Sequence, residues 1–335
     1  TQVLEALDQG TLFYARGRKT YELEERMSRL YGTTRALAAS SCTAALHAAL
    51  GAIGTVPGDE VLMPPMTDMG TVIGVLYQGA VPVFVDQDTS TLNMDVSQVE
   101  EKITPRTRAI IVVHYSGNPC DMDRILEIAR RRSIRVIEDC AQSWHARWKG
   151  RLVGTVGDIG CFSLNEFKHI STGDGGLCIT DDEELAGRIR LYTDKGYSRD
   201  GGSMSCEFLA PNYRMSEIVA AVGIAQLGKV DAITRRRNEI GGRIDALLDG
   251  IPGLYPMKID PESYCTYWHY LLRVEENELG ASPDEFAEAV AAEGIPCVRT
   301  VTRHPLYHHG LFRDLSAFPP GTWPFIHAER SEPPS

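Results

Sequence analysis

Residues 108–140 read RAIIVVHYSGNPCDMDRILEIARRRSIRVIEDC and hold two apolar runs with a helical pattern between them. The first run, 108–117, and the second, 135–140, are rich in β-branched residues and have the length of strands. The intervening segment, 122–133, repeats apolar residues at the spacing of one helix face. Nearly continuous apolar strands joined by a helix predict a parallel sheet that helices cover on both faces.

The same alternation extends over the N-terminal part of the chain. Helical patterns occur at 20–32, 41–54 and 69–79, and strand-like runs occur at 35–40, 59–65 and 81–86. Together with the central stretch, these segments predict a large α/β domain.

The pattern changes after Gly176. Helical patterns then cover 181–196, 213–250 and 282–295, and strand-like runs cover 267–275 and 296–301. We therefore expect a large domain at 1–231 and a smaller α+β domain at 232–335. The last residues are polar and proline-rich, which is typical of a frayed or truncated end.

The composition is that of an ordinary globular protein. The 335 residues are 43% apolar and 24% charged, and the net charge of −11 argues against a general binder of nucleic acid or of an anionic membrane. No apolar run approaches the roughly 18 residues of a membrane-spanning helix. The eight cysteines form no Cys-x-x-Cys pair, and several lie in apolar runs. This predicts buried free thiols and a reducing, cytoplasmic location.

One lysine lies between two strand-like segments in NEFKHISTGDGG, residues 165–176. Most lysines are solvated, and this is the simplest interpretation of Lys168. The alternative is a partly desolvated lysine whose amine forms a Schiff base with a carbonyl group. The strand before Lys168 would fix its position, and the glycines after it would let the backbone come close to a bound group.

Two further elements match this alternative. The strand at 135–140 ends near Asp139, where open α/β sheets bind their ligands. The hydroxyl-rich residues 40–43 open a helix whose free N–H groups can bind an anion. Each element alone is more often a helix cap. Together with Lys168 they suit pyridoxal phosphate, which needs partners for its aldehyde, its pyridine nitrogen and its phosphate.

Seven motifs in a fixed order resemble those of the DegT/StrS-type sugar aminotransferases, pyridoxal-phosphate enzymes of fold type I. The resemblance covers about Gly10 to Leu227 and rests on SCTAAL, PGDEVLMPPMT, GAVPVFVDQD, YSGNPCDMD, VIEDCAQ, GDIGCFSLNEFKHISTGDGG and NYRMSEIVAAVGIAQL. It implies an α/β fold with a mostly parallel central sheet flanked by helices, and a smaller α+β C-terminal domain.

The resemblance also implies roles for single residues. Lys168 matches the lysine that binds the cofactor covalently and moves the proton during catalysis. Asp139 matches the acid that pairs with the pyridine nitrogen, and Gln142 matches the residue that contacts the 3-hydroxyl group of the ring. The residues at phosphate-binding positions are Cys42, Thr43, Ser163 and Asn212. The family asparagine reaches the phosphate of the neighbouring subunit, so Asn212 implies a homodimer with shared active sites.

Three positions depart from the family pattern. Asp174 stands where the family commonly has glutamate, which is a mild change. Cys42 stands where the family usually has glycine, which removes backbone freedom. Asp68 stands where an aromatic side chain usually stacks on the pyridine ring. A carboxylate cannot stack, so either another side chain covers the ring or the cofactor lies differently. Trp144 and His145 are nearby in sequence, without a signal that assigns either of them.

The resemblance implies an aminotransferase that moves an amino group from L-glutamate or L-glutamine to a keto sugar or keto-cyclitol, in amino-sugar or aminoglycoside-type secondary metabolism. Two alternatives stay open. One is a sugar dehydratase of the same family, in which histidine replaces the lysine, and the other is an impaired cofactor-binding partner or regulatory protein. Basic candidates to face the acceptor are Arg199, Arg299 and Arg303. No metal site is expected, because the spacing of His304, His308 and His309 fits a site rim or a solvated loop better.

Overall fold

A seven-stranded sheet forms the centre of the molecule in the computed structural model, which describes residues 1–199, 205–299 and 304–313. The strands in these ranges are β1 Arg35–Ala39, β2 Glu60–Met63, β3 Val81–Phe84, β4 Thr107–Val113, β5 Arg135–Asp139, β6 Arg147–Trp148, β7 Arg151–Leu152, β8 Ile159–Ser163, β9 Gly176–Thr180, β10 Leu254–Pro256 and β11 Leu272–Val274. The helices are α1 Gln2–Asp8, α2 Lys19–Tyr31, α3 Cys42–Ala52, α4 Met69–Tyr77, α5 Met122–Arg132, α6 Glu183–Thr193, α7 Glu217–Leu227, α8 Val230–Leu248, α9 Glu276–Leu279, α10 Pro283–Ala292 and α11 Gly310–Arg313. None of these helices is long and apolar enough to cross a membrane.

The strand order in the sheet is β1-β9-β8-β5-β4-β2-β3. From β3 to β8 all neighbouring strands run parallel, and β9 and β1 complete the sheet as antiparallel strands. Helix α5 connects the parallel neighbours β4 and β5, as the pattern at 108–140 predicts. The predicted α/β fold with a mostly parallel sheet flanked by helices is therefore confirmed.

Side chains of the central strands alternate between two apolar layers, which explains their almost continuously apolar sequences. On β5, Ile137 packs in the layer that contains α3, α4 and α6, whereas Val136 packs with α5 on the opposite face. The opposite face also carries α2 and α7. Because side chains alternate along a strand, Asp139 at the end of β5 points to the α3 and α4 side, and Glu138 points to the other.

The C-terminal region differs from the sequence prediction in its helices. The continuous helix expected over 213–250 is interrupted between α7 and α8. At the break, the N–H of Lys229 donates to the carbonyl oxygen of Gln226, which closes a turn at Gly228 instead of continuing the helix. The expected domain boundary between 231 and 232 lies inside α8. The division into domains at 1–231 and 232–335 stays a prediction.

The two strands predicted in this region are also different. Only β11 forms from 267–275, because the N–H of Trp268 before it donates to the loop carbonyl oxygen of Ser116 instead of to a neighbouring strand. The predicted strand at 296–301 is wrong over 296–299, which are irregular, and its last two residues lie outside the described ranges. Pro296 has no N–H group to donate to a ladder.

Glu138 is a fully buried carboxylate near the carboxyl end of the central strand β5. One oxygen accepts hydrogen bonds from Nε2 of His114 (2.9 Å) and from the N–H of Gly154 (2.8 Å). The other accepts from the N–H groups of Val156 (2.8 Å) and Gly157 (2.6 Å). Burial by itself raises the pKa of Glu138, but these donors outweigh burial and hold the pKa below its ordinary value.

Glu138→Gln is expected to lower the free energy of unfolding by about 3 kcal/mol, because the amide NH₂ group would face two N–H donors whichever way it is turned. Urea unfolding measures the loss. The exposed Glu127→Gln on α5 is the matched control, with an expected change below about 0.5 kcal/mol. Equal stability of the two variants would contradict the role of Glu138.

The same carboxylate makes stability depend on pH. The pKa of Glu138 is lowered on folding, so its contribution is fully present above the ordinary glutamate pKa of 4.5. It is lost as the pH falls from there through the lower pKa of the folded state. Glu138→Gln should therefore show a smaller loss of stability on acidification than the wild type.

Candidate active site

The predicted site residues meet where the parallel strands end at their carboxyl termini. Asp139 ends β5, Ser163 ends β8, and Lys168 lies in the loop from β8 to β9. Helix α3 begins beside them at Cys42. The Lys168 amine, the carboxylates of Asp139 and Asp68 and the Cys42 thiol are close enough for their charges to interact. This is the edge at which open α/β sheets bind ligands.

The loop that carries Lys168 has a defined shape. Backbone hydrogen bonds join Leu164 to Gly175 and Glu166 to Gly173 at 2.9 and 3.0 Å, so the base of the loop continues the pairing of β8 with β9. Gly173 has a φ of +84°, which glycine adopts without strain. The glycines of this stretch thus form the turn that returns the chain to the sheet.

Lys168 is half-buried, and its amine lies 3.8 Å from the ring centroid of Trp268. Burial lowers the pKa of Lys168, and the negative charges of Asp139 and Asp68 oppose this without reversing it. No carboxylate among the described residues forms an ion pair with the amine. The neutral amine, which attacks carbonyl groups, is therefore more accessible here than on a solvated lysine.

Asp139 is held at both carboxylate oxygens. Oδ1 accepts a hydrogen bond from the N–H of Ala141 (3.0 Å), and Oδ2 accepts one from the hydroxyl of Thr71 (2.8 Å). The residue is 3% exposed, and burial raises its pKa. Thr71 is a contact that sequence reasoning missed, since its only signal is its place in the first turn of α4.

The first turns of α3 and α4 lie side by side. Ser41 caps α3 by accepting a hydrogen bond from the N–H of Ala44 (3.1 Å). A Cβ at Gly70 in α4 would lie 2.6 Å from Oγ1 of Thr43, and one at Gly176 would lie 2.2 Å from the carbonyl oxygen of Ser41. Both glycines therefore permit close packing around the start of α3. The start of α3 favours an anion such as phosphate, whereas the carboxylate of Asp68 already occupies the start of α4.

The departures at Cys42 and Asp68 have structural explanations. Cys42 lies in α3 with a negative φ, so the backbone at this position does not require glycine. Asp68 is the N-cap of α4, and its Oδ1 accepts a hydrogen bond from the N–H of Gly70 (2.8 Å). The carboxylate at position 68 therefore stabilises a helix start.

The remaining predicted residues differ in their relation to the site. Ser163 is buried, and its hydroxyl accepts a hydrogen bond from the N–H of Asn165 (3.2 Å). Gln142 is buried two residues after Cys140, and its Oε1 accepts one from the N–H of Ser116 (2.8 Å). Asn212 is exposed, and its side chain bonds no other predicted site residue in the described part of the chain. The fold thus brings Ser163 and Gln142 to the common edge and leaves Asn212 facing solvent.

Trp144 and His145 belong to the apolar layer behind the sheet. Nε1 of Trp144 donates to the carbonyl oxygen of Ser163 (2.8 Å), and its fully buried ring packs against Phe162. The N–H of His145 donates to the hydroxyl of Tyr31 (3.1 Å). Trp144 therefore supports the end of β8 from the face opposite to Asp139.

The arginines predicted to face the acceptor form ion pairs with carboxylates where the structure describes them. The guanidinium of Arg199 donates to both oxygens of Asp194 (2.7 and 2.8 Å), and Arg299 donates to Asp284 (2.8 Å). Arg303 lies outside the described residues.

One group of possible metal ligands occurs in the described ranges, formed by His114, Glu138 and Cys140. Nδ1 of His114 accepts a hydrogen bond from the N–H of Cys120 (3.1 Å), so Nε2 carries the proton and donates to Glu138. The lone pairs of both residues are already used. A metal ion would have to displace these bonds, which makes the group a structural network.

The sheet is mostly parallel, and a lysine, an aspartate and two helix starts lie at the carboxyl ends of its strands. This arrangement defines a class of α/β enzymes suited to pyridoxal phosphate. Comparison with protein families is more specific. The model of the DegT/DnrJ/EryC1/StrS aminotransferase family matches residues 1–329, and the chain belongs to this family. It is a pyridoxal-phosphate-dependent aminotransferase, and the expected fold, enzyme class and cofactor are confirmed.

Individual relatives agree with this assignment. The chain is 38% identical over 301 residues to the spore coat polysaccharide biosynthesis protein SpsC of Bacillus subtilis, across 87% of this chain and 77% of the relative. It is 38% identical over 266 residues to GDP-perosamine synthase of Escherichia coli O157:H7, across 79% and 72%. Among solved structures, DesV of S. venezuelae superimposes with a TM-score of 0.85 at 31% identity, across 96% of this chain and 84% of DesV.

Asp68→Ala is expected to lower the free energy of unfolding by about 1 kcal/mol, because the N–H of Gly70 loses its cap. Asp68→Ser keeps an acceptor at this position and is the matched control, with a smaller expected loss. Chemical denaturation of both variants measures the difference. An alanine variant as stable as the wild type would show that the cap contributes nothing.

Proposed function

We propose that Lys168 binds the aldehyde of pyridoxal phosphate covalently and acts as general acid and base, and that Asp139 pairs with the pyridine nitrogen. The supporting observation is the position of the Lys168 amine, which is partly removed from water and close enough to Asp139 for their charges to interact. We assign the phosphate to Cys42, Thr43 and Ser163, and the 3-hydroxyl group to Gln142.

The surroundings fit a phosphorylated ring with a cationic nitrogen. The first turn of α3 presents its first N–H groups, at Cys42 and Thr43, to a phosphate, and Gly176 leaves room for the packing around this helix start. Burial raises the pKa of Asp139, and a cationic ring nitrogen would stabilise its ionised form. The site thus offers a suitable partner to each reactive part of the cofactor.

The chain's own residues then have distinct tasks. Bound pyridoxal phosphate supplies a ring that takes up the electron pair left on the substrate carbon as its proton departs. Lys168 accepts and returns this proton, since burial keeps more of its amine neutral than on a solvated lysine. Asp139 keeps the ring nitrogen protonated, and the hydroxyl of Thr71 holds Oδ2 of Asp139 in place.

A homodimer with shared sites is part of the proposal. Asn212 is exposed, and the neighbouring Tyr213 accepts a hydrogen bond from the N–H of Ser40 (2.8 Å), just before α3. Phe167, next to Lys168, is 76% exposed, and Leu209, three residues before Asn212, is 96% exposed. A second subunit would bury these side chains and could receive the amide of Asn212 at its own phosphate site.

For substrates we propose L-glutamate or L-glutamine as donor and a keto sugar as acceptor. The names of SpsC and GDP-perosamine synthase support sugar chemistry. A keto-cyclitol acceptor and a place in amino-sugar or aminoglycoside-type secondary metabolism belong to the same proposal. A cytoplasmic location agrees with the eight free cysteines, six of them buried.

The dehydratase alternative requires a histidine in place of the lysine, and the chain does not have one at that position. Residue 168 is lysine, and the adjacent His169 is buried with Nε2 bonded to the carbonyl oxygen of Thr266 (3.1 Å). We therefore propose amino transfer as the reaction.

Lys168→Ala is expected to abolish transamination, because no amine remains to bind the cofactor or to move the proton. The wild type should show a near-visible absorbance band that the amino donor bleaches and a keto sugar restores. Borohydride reduction followed by peptide mapping should place the adduct on Lys168. Lys195→Ala, on a lysine beside Tyr197, is the matched control and should keep the band. Retained turnover in Lys168→Ala would refute the assignment.

Mixing two inactive variants tests the shared sites. Lys168→Ala subunits keep Asn212, and Asn212→Asp subunits keep Lys168, so a mixed dimer contains one intact site. Co-refolding an equal mixture should restore roughly a quarter of wild-type activity, since half of the dimers are mixed and each has one active site. Activity no higher than that of the separate variants would contradict the proposed role of Asn212.

A further inference from the structure

Residues 264–269 lie against the loop between β8 and β9, and we refer to them as the covering segment. Their backbone is bonded to loops at the sheet edge. The N–H of Thr266 donates to the carbonyl oxygen of Gly117 (3.1 Å), and the N–H of Trp268 donates to that of Ser116 (2.8 Å). The C-terminal region therefore reaches directly into the candidate active site.

The covering segment contacts both neighbours of Lys168. Nε1 of Trp268 donates to the carbonyl oxygen of Phe167 (2.7 Å), and Nε2 of His169 donates to that of Thr266 (3.1 Å). Burial lowers the pKa of His169 to about 3, so its ring stays neutral. The indole of Trp268 covers the amine itself, with Nζ of Lys168 3.8 Å from the ring centroid. The covering segment thus holds the chain on either side of Lys168.

The backbone is shaped for this contact. Tyr267 has a φ of +43°, which is rare for a bulky residue, and Gly117 has a φ of +90°. A Cβ at Gly117 would lie 2.6 Å from the backbone nitrogen of Tyr267, so only glycine permits the approach. Such angles persist where surrounding contacts hold them, and they cluster at functional sites.

Ser116 connects the covering segment to a second site residue. Its carbonyl oxygen accepts from the N–H of Trp268, and its own N–H donates to Oε1 of Gln142 (2.8 Å). Lys168 and Gln142 are therefore oriented through the same short segment.

Several titratable groups face the Lys168 amine. They are Asp139 of β5, Asp68 at the start of α4, Cys42 of α3, His169 of the same loop and His269 of the covering segment. The two carboxylates and the face of the Trp268 indole favour the ammonium form, whereas removal from water favours the neutral amine and is the largest effect. Letting water reach the amine should therefore act more strongly than changing any one of these charges.

We propose that Trp268 is a positioning residue for Lys168, whose indole excludes water from the amine and ties its loop to the covering segment. The inference rests on the proposed function of Lys168.

The test measures how fast the full-length apoenzyme combines with added pyridoxal phosphate at different pH values, followed by near-visible absorbance. Only the neutral amine reacts, so the midpoint of the rate profile reports its pKa. Trp268→Gln removes the apolar cover but keeps an N–H donor. We expect its midpoint to rise by about one pH unit and its rate at neutral pH to fall about tenfold. Trp268→Phe keeps a ring and should stay within about 0.3 units.

Tyr255→Gln, on an exposed aromatic of β10, is the matched control and should not move the midpoint. An unchanged midpoint in Trp268→Gln, or equal shifts in the Gln and Phe variants, would overturn the inference. If circular dichroism shows that Trp268→Gln does not fold, Gly117→Ala takes its place, because the added Cβ displaces the covering segment and spares the indole. An upward shift then supports the role of Trp268, and an unmoved midpoint overturns it.

Borohydride mapping of the wild type separates this inference from the proposed function. An adduct on Lys168 with unmoved midpoints removes only the role of Trp268. An adduct on another lysine removes the role of Lys168, and that of Trp268 with it.

Discussion

The buried carboxylate of Glu138 is the interaction on which the arrangement of the active site depends. An ionised group inside a protein is stable only when hydrogen-bond donors surround it. These donors come from His114, directly after β4, and from residues 154–157, which lead into β8. The ends of three neighbouring strands are thereby fixed to one another. Because side chains alternate along β5, this network on one face also fixes Asp139 on the other.

The parts that sequence predicts well are those that a continuous stretch specifies. Apolar runs and the helical period between them define β4, α5 and β5, and Asp139 and Lys168 lie beside such runs. Contacts between distant segments leave no local signal. Trp268 donates a hydrogen bond to Phe167, which lies 101 residues earlier in the chain. The aromatic residues around Trp268 are as typical of a strand as of a segment that covers an active site. Asn212 is a different case, because its proposed partner lies on another chain.

Two different parts of the structure hold the site residues in place. Asp139 and the first turns of α3 and α4 are held by the sheet and its apolar layers, which the whole large core stabilises. Lys168 depends in addition on the covering segment, which a small number of hydrogen bonds attach to loops. Asp68 and Trp268 illustrate the difference between them. The carboxylate of Asp68 caps α4 and stabilises the part of the site that the sheet holds. The aromatic surface next to the Lys168 amine belongs instead to the covering segment.

The exclusion of water from this edge has a consequence for Cys42, whose thiol lies among the same charges as Lys168. Thiolates and amines both add to aldehydes, so the two side chains could compete for one cofactor. Burial raises the pKa of Cys42 and lowers that of Lys168, because it disfavours the charged form of each. The neutral form is the unreactive one for a thiol and the reactive one for an amine. Burial therefore disfavours the reactive form of the Cys42 thiol and favours that of the Lys168 amine.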